Sequence, residues 1–154
     1  MIFFLDIDGV MVHAIPYRKV ELAEDGFYVF NSVAVEILKS VISIPHDELI
    51  LSTSHRFKFS IPEWRQIFEA RGLSVKNISI VDLPLELKSN RLSEIIDWIT
   101  QKHLDPNEII IIDDDKSLND LPSHLKERLI LTDSYAGLNY AAGLHKLINR
   151  PLIE

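Results

Sequence analysis

Two aspartates one residue apart, Asp6 and Asp8, follow the apolar run Ile2–Leu5 and precede Gly9. A second acidic group, Asp113, Asp114 and Asp115, follows four consecutive isoleucines at 109–112. Clustered carboxylates serve general acid–base chemistry or a hard cation. Residues two apart in an extended chain point to the same side of the pleat, so Asp6 and Asp8 can face one site. Gly9 lets the chain turn through a conformation that other residues resist. The bland reading of each cluster is a strand that ends in a charged turn. Finding the same construction twice weighs against it. Brought together in a poorly solvated cleft, Asp6, Asp8 and Asp114 repel one another, and a divalent cation removes that conflict. An oxygen-only ligand set in a chain without cysteine favours a hard ion, Mg²⁺ first.

Hydroxyls and cations complete the inventory. The run Leu49, Ile50, Leu51 ends in Ser52, Thr53, Ser54, His55 and Arg56. A hydroxyl donates to a phosphate oxygen without adding charge; its ordinary use is a turn or helix cap. Arg56, with Lys58 and Arg65 nearby, can hold a phosphate or a nucleic-acid backbone, although such residues more often form a solvated face. His13 and His55 are of the type that shuttles protons or binds metal, while lone histidines are more often structural or exposed. Lys88 and Arg91 lead into a helical pattern of Leu92, Ile95, Ile96 and Ile99.

These groups need a scaffold. Short apolar runs at 2–5, 49–56, 75–81, 109–112 and 129–133 read as strands. Between them lie amphipathic stretches that read as helices: 31–42 with Asn31 or Ser32 as cap and Pro45 closing it, 62–71 ending at Gly72, one beginning near Arg91, and 141–148. Strand and helix in alternation predict one α/β domain over 1–154, a three-layer Rossmann-like parallel sheet. The 2–5 strand is expected at its centre with 109–112 beside it. Residues 11–30 read as a flap, with 17–22 paired to 27–30 across Ala23, Glu24, Asp25 and Gly26. No segment is long enough for a separate cap domain.

The formal net charge is −7, which argues against broad attraction to nucleic acid, though a local basic rim stays open. No apolar run approaches the roughly 18 residues of a membrane span. The N-terminus lacks the basic region and cleavage site of a signal peptide. The expectation is a cytoplasmic protein without a membrane partner.

In these four stretches the sequence resembles the haloacid dehalogenase-like (HAD) phosphohydrolase superfamily, in its compact capless form. The resemblance carries Asp6, Ile7, Asp8, Gly9 and Val10 as the first motif, Thr53 (or Ser52) as the second, Lys88 or Arg91 as the third, and Asp113, Asp114 and Asn119 as the fourth. A frame one residue later, Asp114, Asp115 and Asp120, also fits the fourth. By resemblance, Asp6 is the nucleophile of a phosphatase and Asp8 its general acid/base. Thr53 binds the transferred phosphoryl group, with Ser54, Arg56 and Arg91 as further substrate contacts. Lys88, preferred for its spacing, neutralises the site. Mg²⁺ is held by Asp6, the Asp8 carbonyl and Asp114, with Asp113 orienting the site. The implied partner is a phosphorylated small molecule or macromolecule, nucleic acid included. Two other readings stay open: a catalytically silent binding or regulatory module, and a receiver-like phosphoacceptor domain.

Overall fold

Side-chain alternation decides how the strands pack. Successive residues of a strand face opposite sides, so an unbroken apolar run must be covered on both. Strand β1 (Ile2–Leu5) and strand β4 (Ile109–Asp113) are such runs. The computed structural model describes residues 1–43, 46–83 and 90–148. With β2 (Glu48–Leu51), β3 (Asn77–Ile80) and β5 (Leu129–Leu131), these strands form one parallel sheet in the order β3–β2–β1–β4–β5. Leu5 lies opposite Leu51 on one side and Ile112 on the other, so β1 and β2 end level and β4 runs one residue further.

The alternation divides the core in two. Phe3, Leu5, Leu49, Leu51, Ile110 and Ile112 pack under α1 (Ser32–Val41), α2 (Ile61–Ala70) and α5 (Ala142–Ile148), against Leu38, Trp64, Phe68 and Leu144. Phe4, Ile50, Ile109 and Ile111 pack under α3 (Arg91–Gln101) and α4 (Ser123–Lys126), against Ile95, Trp98, Ile99 and Leu125. The result is the expected three-layer α/β fold without a large cap.

Local chemistry fixes the helix starts. Ser60 and Glu63 form a reciprocal capping box at α2, with Pro62 in its first turn. Asn90 accepts from the Ser93 N–H and starts α3 at Arg91. Asn31 holds the cap position of α1 without a side-chain cap bond.

Several boundaries depart from the sequence reading, and pairing explains them. The 49–56 strand stops at Leu51, and Thr53 then caps a 3-10 turn at Ser54–Phe57. The 75–81 strand narrows to Asn77–Ile80, matching the four residues of its neighbour β2. β5 stops at Leu131, opposite Asp113, the last residue of β4. Residues 116–120 form a 3-10 turn that the sequence reading did not predict. Pro45 lies outside the described residues.

The flap is less regular than a two-stranded hairpin. One antiparallel bridge, Leu22 to Tyr28, stands where 17–22 were to pair with 27–30. Packing holds the flap instead. The Phe27 ring meets Trp64 at 5.2 Å and Phe59 at 5.6 Å between centroids. Arg71 makes a two-pronged contact with Asp25, at 2.6 and 2.9 Å, and also donates to the Tyr28 carbonyl. The hydrogen bonds from Arg71 lower the Asp25 pKa to about 2. A depressed carboxylate lends stability above its unfolded pKa and loses it as pH falls through the folded one. Limited proteolysis should therefore cut the flap faster as pH drops from about 4 towards 2. Asp25→Asn should cut several-fold faster at pH 7 and lose that pH dependence. A variant as resistant as the parent at pH 7 would show that the aromatic cluster alone anchors the flap.

Candidate active site

Pleat parity brings the chemistry together. Asp6 continues the face of Ile2 and Phe4, Ser52 that of Ile50, and Asp113 that of Ile109 and Ile111. The ladders run one bond further, from Asp6 N–H to the Ile112 carbonyl and from Ser52 N–H to the Leu5 carbonyl. Asp6, Ser52 and Asp113 thus stand level at the carboxyl edge, on the side covered by α3. Ligands of open α/β sheets bind at that edge.

The first residue of α3 reaches into this layer. Arg91 Nη1 lies 2.5 Å from Asp113 Oδ2 and 3.4 Å from Asp6 Oδ1. Asp113 is fully buried and also accepts from the Asp115 N–H. Burial raises the pKa of Asp113, against the pull of Arg91 and the Asp115 N–H. Burial, and then the Asp113 charge, pushes Asp6 well above the usual carboxylate range, with Arg91 opposing. Burial works against the charge of Arg91, but Asp6 and Asp113 outweigh it and raise its pKa. Of the two cations considered for this role, Lys88 and Arg91, Arg91 stands beside Asp6 and Asp113. Lys88 lies outside the described residues.

Asp114 completes a trio. One carboxylate oxygen each from Asp6, Asp113 and Asp114 lie within 4.8 Å of one another. Asp113 is engaged by Arg91, whereas no hydrogen bond or ion pair among the described residues holds the Asp114 carboxylate. The Asp8 carbonyl likewise accepts no backbone bond among them. Three carboxylates around one guanidinium leave an excess of negative charge among hard oxygen donors, and a divalent cation such as Mg²⁺ fits that set. Of the three, Asp114 is the carboxylate without a partner among the described residues, and Asp6 and Asp113 share Arg91.

Gly9 makes the approach of Asp114 feasible. Its φ is +79°, and a Cβ there would overlap the Asp114 carboxylate. The Gly9 carbonyl accepts from Thr132 Oγ1 at 2.7 Å, and the Leu138 N–H donates to the Val10 carbonyl. The loop carrying Asp8 is thereby tied to the segment after β5.

The remaining sequence candidates separate. Thr53 is buried, and its Oγ1 accepts from the His55 N–H at 3.3 Å. Ser52, named as its alternative, is also buried, and its hydroxyl has no partner among the described residues. Ser54 is exposed at the start of the 3-10 turn. Arg56 does not line the site as a phosphate contact. Its buried guanidinium donates to the carbonyls of Val81, Ser52 and Thr53 and pairs with Glu94 at 2.8 Å. It braces the ends of β2 and β3 against α3.

His55 gains a specific place. Its Nε2 lies 2.7 Å from Asp8 Oδ2. The flap rings Phe27 and Tyr28 meet the imidazole edge-on, at 5.6 and 5.3 Å. The sequence signal was slight: a histidine two residues past Thr53, shortly after the strand next to the one that Asp8 follows. A concavity of about 630 Å³ lies elsewhere, between the flap, α1 and α2, and is lined by none of these carboxylates.

A family model described as the HAD domain in Swiss Army Knife RNA repair proteins matches residues 2–142. No curated protein and no solved structure matches the chain.

Proposed function

From the premise that the chain belongs to the family of HAD domains in Swiss Army Knife RNA repair proteins, a phosphohydrolase-type fold, we propose that it is a Mg²⁺-dependent phosphatase. Its substrate on this reading is a phosphate monoester at the end of an RNA strand. The observation that carries the reading is Arg91 set between Asp6 and Asp113, with Asp114 beside them. A carboxylate is a weak nucleophile and is repelled by a phosphate. It attacks only when its charge is offset and the phosphorus lies in line.

The residues divide the work. Arg91 fixes Asp6 and offsets negative charge on the incoming phosphoryl group. The hydroxyls of Ser52 and Thr53 donate to its oxygens. Asp6 attacks phosphorus, the bond to the leaving oxygen breaks, and Asp8 gives that oxygen its proton. Asp8 then takes a proton from water as the water attacks phosphorus, and Asp6 is released as a carboxylate with inorganic phosphate. His55 holds the Asp8 carboxylate in place between these steps. Asp6, the Asp8 carbonyl and Asp114 would hold Mg²⁺, which when bound would offset the charge on the phosphoryl oxygens.

The RNA part of the reading is supported by the family's description and by the lack of any domain-sized insertion to roof the site. The test is phosphate release from 5′- and 3′-phosphorylated RNA oligonucleotides, beside nucleotides and sugar phosphates, with Mg²⁺ and with EDTA. The expected result is EDTA-sensitive release, with an oligonucleotide preferred at least tenfold in kcat/KM, about 1.4 kcal/mol. Release from none of these esters would sink the phosphatase reading; a preference for free sugar phosphates would sink its RNA part.

A further inference from the structure

The ten residues 11–20, directly after the catalytic loop, contain Arg18, Lys19 and His13 and no acidic residue, in a chain of net charge −7. Arg18 and Lys19 are exposed, and no ion pair among the described residues engages either. A groove of about 340 Å³ opens between this segment and the loop after β5, lined by His13, Arg18, Lys19, Glu21, Asn31 and Tyr135. Tyr135 is 57% exposed, and Tyr17, next to Arg18, is 87% exposed.

Two features place the groove beside the site. One end is Val12, which bridges Asp8. The wall that carries Tyr135 is fastened to the same loop, since the Ala14 N–H donates to the Ser134 carbonyl and Thr132 to the Gly9 carbonyl. Cations alone attract any polyanion. Exposed aromatic faces among them add base stacking, which a carboxylate-rich peptide cannot use. Glu21 is the opposing charge in the lining, and it disfavours a second phosphate at that end.

We propose that this groove is a binding track for single-stranded nucleic acid, with Arg18 and Lys19 on the phosphates and Tyr135 stacking on a base. The proposal deepens the phosphatase reading, because the track would lead a strand end toward Asp6. It can nevertheless be tested without turnover.

Fluorescence anisotropy with an unphosphorylated, fluorescein-labelled ten-nucleotide RNA, in EDTA, reads the groove without chemistry. The expected result is salt-dependent binding to the parent protein. Arg18→Ala with Lys19→Ala should weaken it about tenfold and flatten the salt dependence by about 1.4, at roughly 0.7 for each phosphate no longer neutralised. Tyr135→Ala should weaken it about tenfold, whereas Tyr135→Phe, which keeps the stacking face, should bind like the parent. Lys126→Ala, on α4 across the sheet, should also bind like the parent. The proposal is overturned if the RNA does not bind, if the double variant keeps the parental salt slope, if Tyr135→Phe is as weak as Tyr135→Ala, or if a polyglutamate peptide competes as well as RNA. Hydrolysis of p-nitrophenyl phosphate by the parent reports the chemistry separately. Turnover without RNA binding sinks the groove alone, and RNA binding with no release from p-nitrophenyl phosphate or from phosphorylated RNA sinks the phosphatase alone.

Discussion

Asp6→Asn should form no phosphoenzyme and release no phosphate, while Asp8→Asn should still bind substrate but turn over about 10²-fold more slowly or worse. The two carboxylates stand one residue apart, yet their surroundings differ in the way the proposed mechanism needs. Asp6 is 5% exposed and sits beside Arg91. It is fixed, partly neutralised and directed to one position. Asp8 has a side chain 38% exposed and paired with His55, as suits a group that exchanges protons with water and with a leaving oxygen. On the proposed mechanism, an amide at position 6 removes the nucleophile outright. An amide at position 8 leaves the main-chain carbonyl, and so the inferred Mg²⁺ contact, while removing the proton carrier.

A fold defect would not imitate this pattern. Burial already pushes the pKa of Asp6 up, so ionised Asp6 weakens the fold and a neutral amide relieves it. Thermal melts should place Asp6→Asn at or above the parental Tm in the absence of metal. Rapid-quench trapping with labelled substrate, followed by peptide mapping, reads the rest. Label on a residue other than Asp6, or parental turnover in Asp8→Asn, would overturn the mechanism. Label that forms on Asp6 but persists for hours would instead favour the receiver-like alternative.

The parts of the site that could be read in the sequence are those set by short-range pattern. Four isoleucines followed by carboxylates can scarcely be anything but a buried strand with an acidic end. The same holds for Ile2–Leu5 before Asp6. Once alternating helices imply parallel strands, both acidic ends must fall on one edge. What could not be read depends on contacts between distant residues or on one-residue boundaries. Arg91 enters the site because Asn90 caps α3 at that point. A helix starting one turn later or earlier would present another side chain. Arg56 was read as a substrate contact because a cation at a strand end resembles one. Its burial follows from a 3-10 turn that sends the guanidinium back over β2 and β3 to three carbonyls. The His55–Asp8 pair joins residues 47 apart in sequence, and no periodicity marks such a contact. The flap was read as a hairpin from its turn residues, but the rings of Trp64 and Phe59 against Phe27, and Arg71 against Asp25, hold it.

Arg91→Ala is expected to be the most damaging substitution among the cations, in stability and in turnover alike. Removing one partner of a buried pair leaves an uncompensated charge and typically costs about 3–5 kcal/mol. Here it would strand two carboxylates, since Asp113 is fully buried and Asp6 nearly so. The pH dependence has a definite sign. Burial raises both folded-state pKa values, and losing Arg91 raises them further. A carboxylate with a raised folded pKa stabilises the fold least when ionised. Without metal, the variant should be most stable near the unfolded aspartate pKa of about 4 and lose stability as pH rises to 7, more steeply than the parent. Turnover should fall at least 10²-fold, because Asp6 loses its orientation and the incoming phosphate its counter-charge. One nitrogen, Nη1, makes both contacts, so Arg91→Lys should restore much of the stability and part of the turnover. Denaturant titrations at pH 4 and 7, with kcat at saturating substrate, measure these effects. Lys88→Ala is the decisive comparison, because spacing to the fourth motif favoured Lys88. A stable, active Arg91→Ala beside an inactive Lys88→Ala would hand the charge clamp to Lys88 and leave Arg91 as a structural tie between α3 and β4.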